Sequence, residues 1–258
     1  MKRIVGLLIL VGLLVIPCLA AGQTGIYVAP KFTYGTTKMG KFGIEGPGYS
    51  DGFMYNTRKS DIAVSGGLAI GYDFHKQARV PVRLEVEYSR FSKVIGEEKM
   101  FNSIYTYYLV SSLGEDECFQ GIKQTLKIQT FFVNAYYDFR NDMPVSFWLG
   151  AGVGMAFIDH KGEATTHVPG GNINLGGVPY WDFVAAGSKK TKNVGWHAGA
   201  GVAYDFTKAL SLDIGYRFSS LGGATTKDCV DPLFGTLHHG KIKNIFMHQL
   251  ILGLRLSF

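Results

Sequence analysis

The stretch Gln249-Leu250-Ile251-Leu252-Gly253-Leu254-Arg255-Leu256-Ser257-Phe258 divides by parity. Leu250, Leu252, Leu254, Leu256 and Phe258 share one side of an extended chain, and Gln249, Ile251, Gly253, Arg255 and Ser257 take the other. Successive side chains of a strand point to opposite faces, so this segment reads as a strand with one apolar face and one mostly small or polar face.

Upstream, seven more segments repeat the pattern. Ile26, Val28, Phe32 and Tyr34 alternate with Tyr27, Ala29, Lys31 and Thr33, and Val64, Leu68, Ile70 and Tyr72 with Ser65, Gly67, Ala69, Gly71 and Asp73. Val82, Leu84, Val86 and Tyr88 alternate with Arg83, Glu85, Glu87 and Ser89, and Phe131, Val133, Ala135 and Tyr137 with Phe132, Asn134, Tyr136 and Asp138. Val145, Phe147, Leu149 and Val153 oppose Ser146, Trp148, Gly150 and Gly152, whereas Val194, Trp196, Val202 and Tyr204 oppose Gly195, His197, Gly199 and Gly201. Finally, Leu210, Leu212, Ile214, Tyr216 and Phe218 oppose Ser211, Asp213, Gly215 and Arg217. Each run has the roughly 9 to 13 residues that a tilted strand needs to cross a bilayer.

A soluble sandwich would carry Lys, Glu and Thr on its wet face. Here the second face is rich in glycine, which suits a crowded lumen. Lipid offers no hydrogen bonds, so a sheet with a lipid-facing side must close on itself. The expected fold is all-β, an eight-stranded antiparallel up-and-down transmembrane barrel. No later segment approaches the roughly 18 uninterrupted apolar residues of a membrane helix.

Link lengths supply a second, independent argument. The links between strands two and three, four and five, and six and seven are short, whereas residues 35–61, 92–123, 159–192 and 219–242 form four long ones. Strict alternation puts all short turns on one side, the periplasmic side of a bacterial barrel, and the long loops outside the cell. Tyr72-Asp73-Phe74, Tyr137-Asp138-Phe139 and Tyr204-Asp205-Phe206 each close an even-numbered strand just before a short turn. By parity their rings face lipid at a common depth, as an interfacial girdle requires, and each Asp faces inward.

Residues 1–21 stand apart. Lys2 and Arg3 precede an apolar run from Ile4 to Ile16, followed by Pro17, Cys18, Leu19, Ala20 and Ala21. This is the layout of a secretory signal peptide, and the run is too short to span as a helix. Pro17 sits where a lipoprotein signal wants a small residue. The mature domain is therefore expected to cover 22–258. Removing Lys2 and Arg3 from the 26 basic residues leaves an excess of about four positive charges over the 20 acidic ones, too mild to argue for nucleic acid.

The strand endings, the Leu-Arg-Leu-Ser-Phe terminus and the four long loops together resemble the opacity-protein-like family of small outer-membrane barrels. That resemblance covers the whole mature chain. It implies an outer-membrane location among lipids and lipopolysaccharide and a non-enzymatic surface protein whose loops serve adhesion, antigenic display or envelope integrity. It also implies a host or extracellular ligand. By the same resemblance, Phe258 on its alternating strand looks like the assembly signal read by the barrel-assembly machinery, after delivery by periplasmic chaperones.

Three groups of residues stand out as sites. Parity sends Lys31, Arg83, Glu85, Glu87, Asp213, Arg217 and Arg255 into a lumen only wide enough to be filled by side chains. They read as a paired structural plug, with a gated ion path as the alternative. Cys118 and Cys229 fall in the second and fourth long links of a chain sent to an oxidising compartment, where a bridge would pin two loops together. Tyr180, Trp181 and Phe183, flanked by Gly170, Gly171, Gly176 and Gly177, form a loop patch suited to contact with a partner or to self-packing.

Nothing in the pattern asks for a cofactor or a metal. Gly150, Gly152 and Gly154 lie within a continuing strand, not at a strand-to-helix turn that would cradle phosphate. A lipid A deacylase would want a serine two positions after a lipid-facing histidine, but His248 is followed by Gln249 and Leu250. His238 and His239 with Asp228 and Asp231 are metal-capable but read as solvated loop. A narrow channel and a lipid-modifying enzyme remain the rival functions.

Overall fold

A computed structural model describes residues 24–45, 57–100, 119–141, 143–167, 173–175, 178–180, 183–230 and 237–258. The expected signal segment 1–21 lies outside the described residues. In chain order the elements are β1 (Ile26–Glu45), β2 (Thr57–Asp73), the short helix α1 (His75–Ala78), β3 (Val82–Phe91), β4 (Val94–Met100) and β5 (Phe119–Phe139). There follow β6 (Val145–His167), β7 (Ile173–Leu175), β8 (Val178–Tyr180), β9 (Phe183–Asp205), β10 (Leu210–Ser220), β11 (Ala224–Thr225), β12 (Cys229–Val230), β13 (Leu237–Ile242) and β14 (Ile245–Ser257).

Eight of these strands pair in the order β1, β2, β3, β5, β6, β9, β10, β14 and back to β1, every neighbour antiparallel. The barrel is closed. At its seam Phe258 donates its N–H to the Ile26 carbonyl at 2.9 Å, and its own carbonyl accepts the Thr24 N–H at 2.9 Å. The short links 74–81, 140–144 and 206–209 gather at this same end. Gln77 donates to the Thr24 carbonyl at 3.4 Å and Lys76 to the Lys208 carbonyl at 3.1 Å.

Side-chain parity holds around the wall. Leu84, Val86, Val133, Ile214 and Leu250 are exposed on the outside, while their sequence neighbours are buried inside. Leu256 shares the outward side but is covered, lying between its strand partners Val28 and Leu210. Within each of the three repeats the Tyr and Phe rings meet edge to face at 4.8 to 4.9 Å between centroids, forming part of an aromatic girdle at the periplasmic rim. No helix among the described residues is long and apolar enough to cross a membrane; the strands do the crossing.

One expectation needs correction. The segments 35–61, 92–123, 159–192 and 219–242 are not simply loops, because much of each is strand. β1 continues to Glu45, β2 starts at Thr57, β5 starts at Phe119, and β6 and β9 have 23 residues each. At about 3.3 Å per residue such a strand is roughly 75 Å long, whereas about 10 tilted residues cross the apolar band. The remainder stands outside as paired hairpin. The alternation used to find strands changes sign there because the outer face meets water, and the backbone still gains by pairing.

Beyond the membrane the polarity of the wall reverses without any change of parity. On β5, Lys127 points outward and Leu126 and Ile128 point inward; on β6, Lys161 is outward and Ile158 inward; on β1, Lys38 is outward and Met39 inward. These inward residues form one apolar cluster with Phe91, Val94, Phe132, Leu221, Ile245 and Met247. After β10 the chain turns in, so that Ala224 joins this cluster and Thr226 lies against Gly162 of β6.

Glycine is required where the lumen is fullest. A Cβ on Gly215 would lie 2.3 Å from the Trp148 ring, whereas one on the outward Gly66 would meet nothing within 4 Å. The membrane fraction should therefore give a folded band that migrates apart from the boiled one; identical bands would contradict the barrel. Gly215→Val should lower the temperature at which that band is lost, through overpacking of about 1–3 kcal/mol, and Gly66→Val should not.

Candidate functional site

The interior is built from every second residue of eight strands, so short-range sequence spacing stacks side chains along the wall and register brings them together across it. Lys31, Arg83, Glu85, Glu87, Asp213, Arg217 and Arg255 all lie inside, none more than 9% exposed. They fall into two connected groups.

In the middle of the barrel Lys31 sits between two carboxylates. Its ammonium pairs with Glu85 and, at 2.9 Å, with Glu87. Glu87 also takes both carboxylate oxygens to Arg217 Nη1, at 2.9 and 3.1 Å. Asn134 donates to Glu85 at 3.0 Å and to Glu87 at 3.1 Å, and its own carbonyl oxygen lies 2.8 Å from His197 Nε2. Arg217 Nε donates to Gln249 at 3.0 Å. Glu85 and Glu87, like charges side by side on one strand face, are thus held by two cations and an amide.

Nearer the periplasmic end, Arg83 is the hub. Its Nε lies 2.8 Å from Asp138 and its Nη1 3.5 Å from Asp213, and its guanidinium stacks 4.9 Å above the Tyr136 ring. Arg140, from the β5–β6 turn, closes the group with Asp73 at 2.6 Å and Asp138 at 2.9 Å. Arg255 reaches Asp205 at 3.5 Å and Asp213 at 3.9 Å.

The seven charges chosen from sequence carry one more cation than anion, and the missing partner is Asp138. Its signal was present in the inward Asp of the Tyr-Asp-Phe repeat. Asn134 and Tyr136 carry no charge and so gave no such signal, although both sit at the centre of the network. Above the charges, the Phe132 ring meets His197 edge to face at 5.0 Å and begins the apolar cluster that shuts the lumen toward the hairpins.

The other sites lie at the hairpin end. Cys118, Trp181 and Asp231 lie outside the described residues. Cys229 opens β12, whose backbone pairs it with His238 of β13. Tyr180 ends β8, in the small β7–β8 hairpin, and Phe183 begins β9. His239 lies 3.3 Å from Asp228, and no group of three or more metal-capable side chains occurs among the described residues. On the outer wall, the Tyr216 hydroxyl engages His248 Nδ1 at 2.6 Å.

Removing one member of a buried ion network strands its partners in a low-dielectric interior. Glu87→Ala should cost about 3–5 kcal/mol, because Lys31 and Arg217 both lose an anion. Thermal loss of the folded band measures this, and a change indistinguishable from that of an exposed outward residue such as Lys127→Ala would contradict it.

The chain is similar in sequence to known outer membrane proteins. The model of a family described as the outer membrane protein beta-barrel domain matches residues 7–233. Outer membrane protein PagN of Salmonella typhimurium is 27% identical over 207 residues, which are 79% of this chain and 77% of PagN. An uncharacterized protein of Brucella abortus is 27% identical over 179 residues, 68% of this chain and 58% of its own length. Among solved structures, Neisserial surface protein A aligns over 91% of this chain and 97% of its own at 20% identity and a TM-score of 0.44.

Proposed function

For a chain that belongs to the outer membrane protein beta-barrel domain family and lies in the outer membrane, we propose the role of a non-enzymatic, non-conducting platform that presents rigid hairpins to an extracellular ligand. The observation that carries this reading is the reversal of wall polarity. Inside the membrane the barrel is filled with paired charge, and outside it is filled with apolar side chains such as Met39, Leu126, Ile158 and Met247. A pore would need a wet path through both. A displayed surface needs stiff supports, and an apolar core inside the hairpins supplies stiffness.

β6 and β9 are the longest described strands, and the sequence that joins them carries Tyr180 and Trp181, followed by Phe183 at the start of β9. Replacing residues 168–182 by a Gly-Ser linker should abolish adhesion of expressing bacteria to cultured epithelial cells while leaving the heat-shifted band intact. Undiminished adhesion, or steady large conductance of the intact protein in a planar bilayer, would contradict the reading.

The remaining expectations belong to the same proposal. Residues 1–21 direct export, Phe258 serves assembly, and Cys118 and Cys229 bridge the second and fourth outer segments. A bridge should leave the purified native protein unreactive to a thiol-alkylating reagent until it is reduced; two thiols alkylated without reductant would dispose of it.

A further inference from the structure

The end of the barrel opposite the hairpins holds a cavity of about 770 Å³ that surface display does not use. Four cations converge on it: Lys76 from α1, Arg140 from the β5–β6 turn, Lys208 from the β9–β10 turn and Arg255 from β14. Among the described residues the carboxylates in its wall are Asp73 and Asp205, and both are engaged. Asp73 accepts from Arg140 at 2.6 Å and from the His75 N–H at 3.0 Å, while Asp205 accepts from the Ser211 hydroxyl and from Arg255 at 3.5 Å. Arg140 is also paired with Asp138 at 2.9 Å and Arg255 with Asp213 at 3.9 Å, so the two guanidiniums are met by carboxylates and the further positive charge of the lining comes from Lys76 and Lys208 on the turns.

A second observation comes from the hydrogen bonds. The Arg255 side chain is only 6% exposed, yet its Nη1 has no hydrogen-bond partner among the described residues. Arg140 Nε is in the same position. A buried guanidinium N–H left unspent costs free energy unless something accepts it. Burial holds the Lys76 ammonium below the ordinary lysine value, with Asp73 and Asp205 pulling it up and the Arg255 and Arg140 guanidiniums pushing it down. Thr207 and Lys208 are exposed, so the cavity meets water on the periplasmic side.

We infer that this cavity binds a small oxyanion, a carboxylate or phosphate group, from the periplasmic side. Arg255 Nη1 and Arg140 Nε each offer an unspent donor, and Lys76 and Lys208 add charge. The volume lies in the range of ordinary ligand sites. The oxyanion belongs either to a free solute or to a carboxylate of the cell-wall peptides.

The test uses the full-length mature barrel in micelles, titrated with inorganic phosphate and with succinate at constant ionic strength. Backbone amide signals of residues 75–76, 140, 207–208 and 255–257 should shift and saturate. Arg255→Gln should weaken binding by about tenfold or more. Lys208→Gln, on an exposed turn, should weaken it without disturbing packing and carries the test if Arg255→Gln does not fold. Lys190→Gln, at the hairpin end, should change nothing. Co-sedimentation with purified cell-wall sacculi that is competed by phosphate and lost in Lys208→Gln assigns the group to the wall; saturation without sedimentation assigns it to a solute. Shifts that do not saturate, or that persist equally in Lys208→Gln and Arg255→Gln, together with no sedimentation, would overturn the site.

Discussion

In hydrocarbon a main-chain N–H has no partner except another main-chain carbonyl, and an unpaired one costs several kcal/mol. Pairing β1 with both β2 and β14 meets that demand, since it leaves the eight-stranded wall without an edge. Closure then dictates the rest. Each strand has one face that must suit lipid and one that must fill a narrow tube, and the seam from Thr24 to Phe258 ties the chain's described ends to the side of the short turns.

What fills the tube changes with depth. Within the membrane the outer face takes the apolar residues, and the inner face can hold charge only if each charge is met. Lys31, Arg83 and Arg217 are met by Glu85, Glu87, Asp138 and Asp213. Beyond the membrane the outer face meets water, and the hydrophobic effect drives apolar side chains inward as in any soluble barrel. The two regimes share one parity, so a single continuous strand such as β5 or β6 serves both.

This explains which features could be read from the residues alone. Within the band, parity needed no tertiary information, and Tyr27, Trp148 and Arg255 are inward where alternation puts them. The hairpin extensions were harder to see. Leu126 and Ile128 do alternate with Lys127 and Gln129, but with the sign reversed, so outward apolar residues do not mark them. Asn134 and Tyr136 share the inward parity, yet their partners Glu85 and Lys31 are distant in sequence and are reached only through register. The cation-rich periplasmic cavity was still less visible, because Lys76, Arg140 and Lys208 sit in turns where no period applies.

The reversal of polarity along one strand is the most exposed part of the account. With the native cysteines replaced by serine, nitroxide labels placed singly at the outward positions 123, 125, 127, 129, 131, 133, 135, 137 and 139 of β5 in a reconstituted bilayer, and at inward Leu126, would map it. Positions 131 to 139 should be relaxed by dissolved oxygen, positions 123 to 127 by a water-soluble nickel chelate, and Leu126 by neither. Oxygen access throughout the outward set, or nickel access at Leu126, would contradict a barrel that is polar-filled within the membrane and apolar-filled above it.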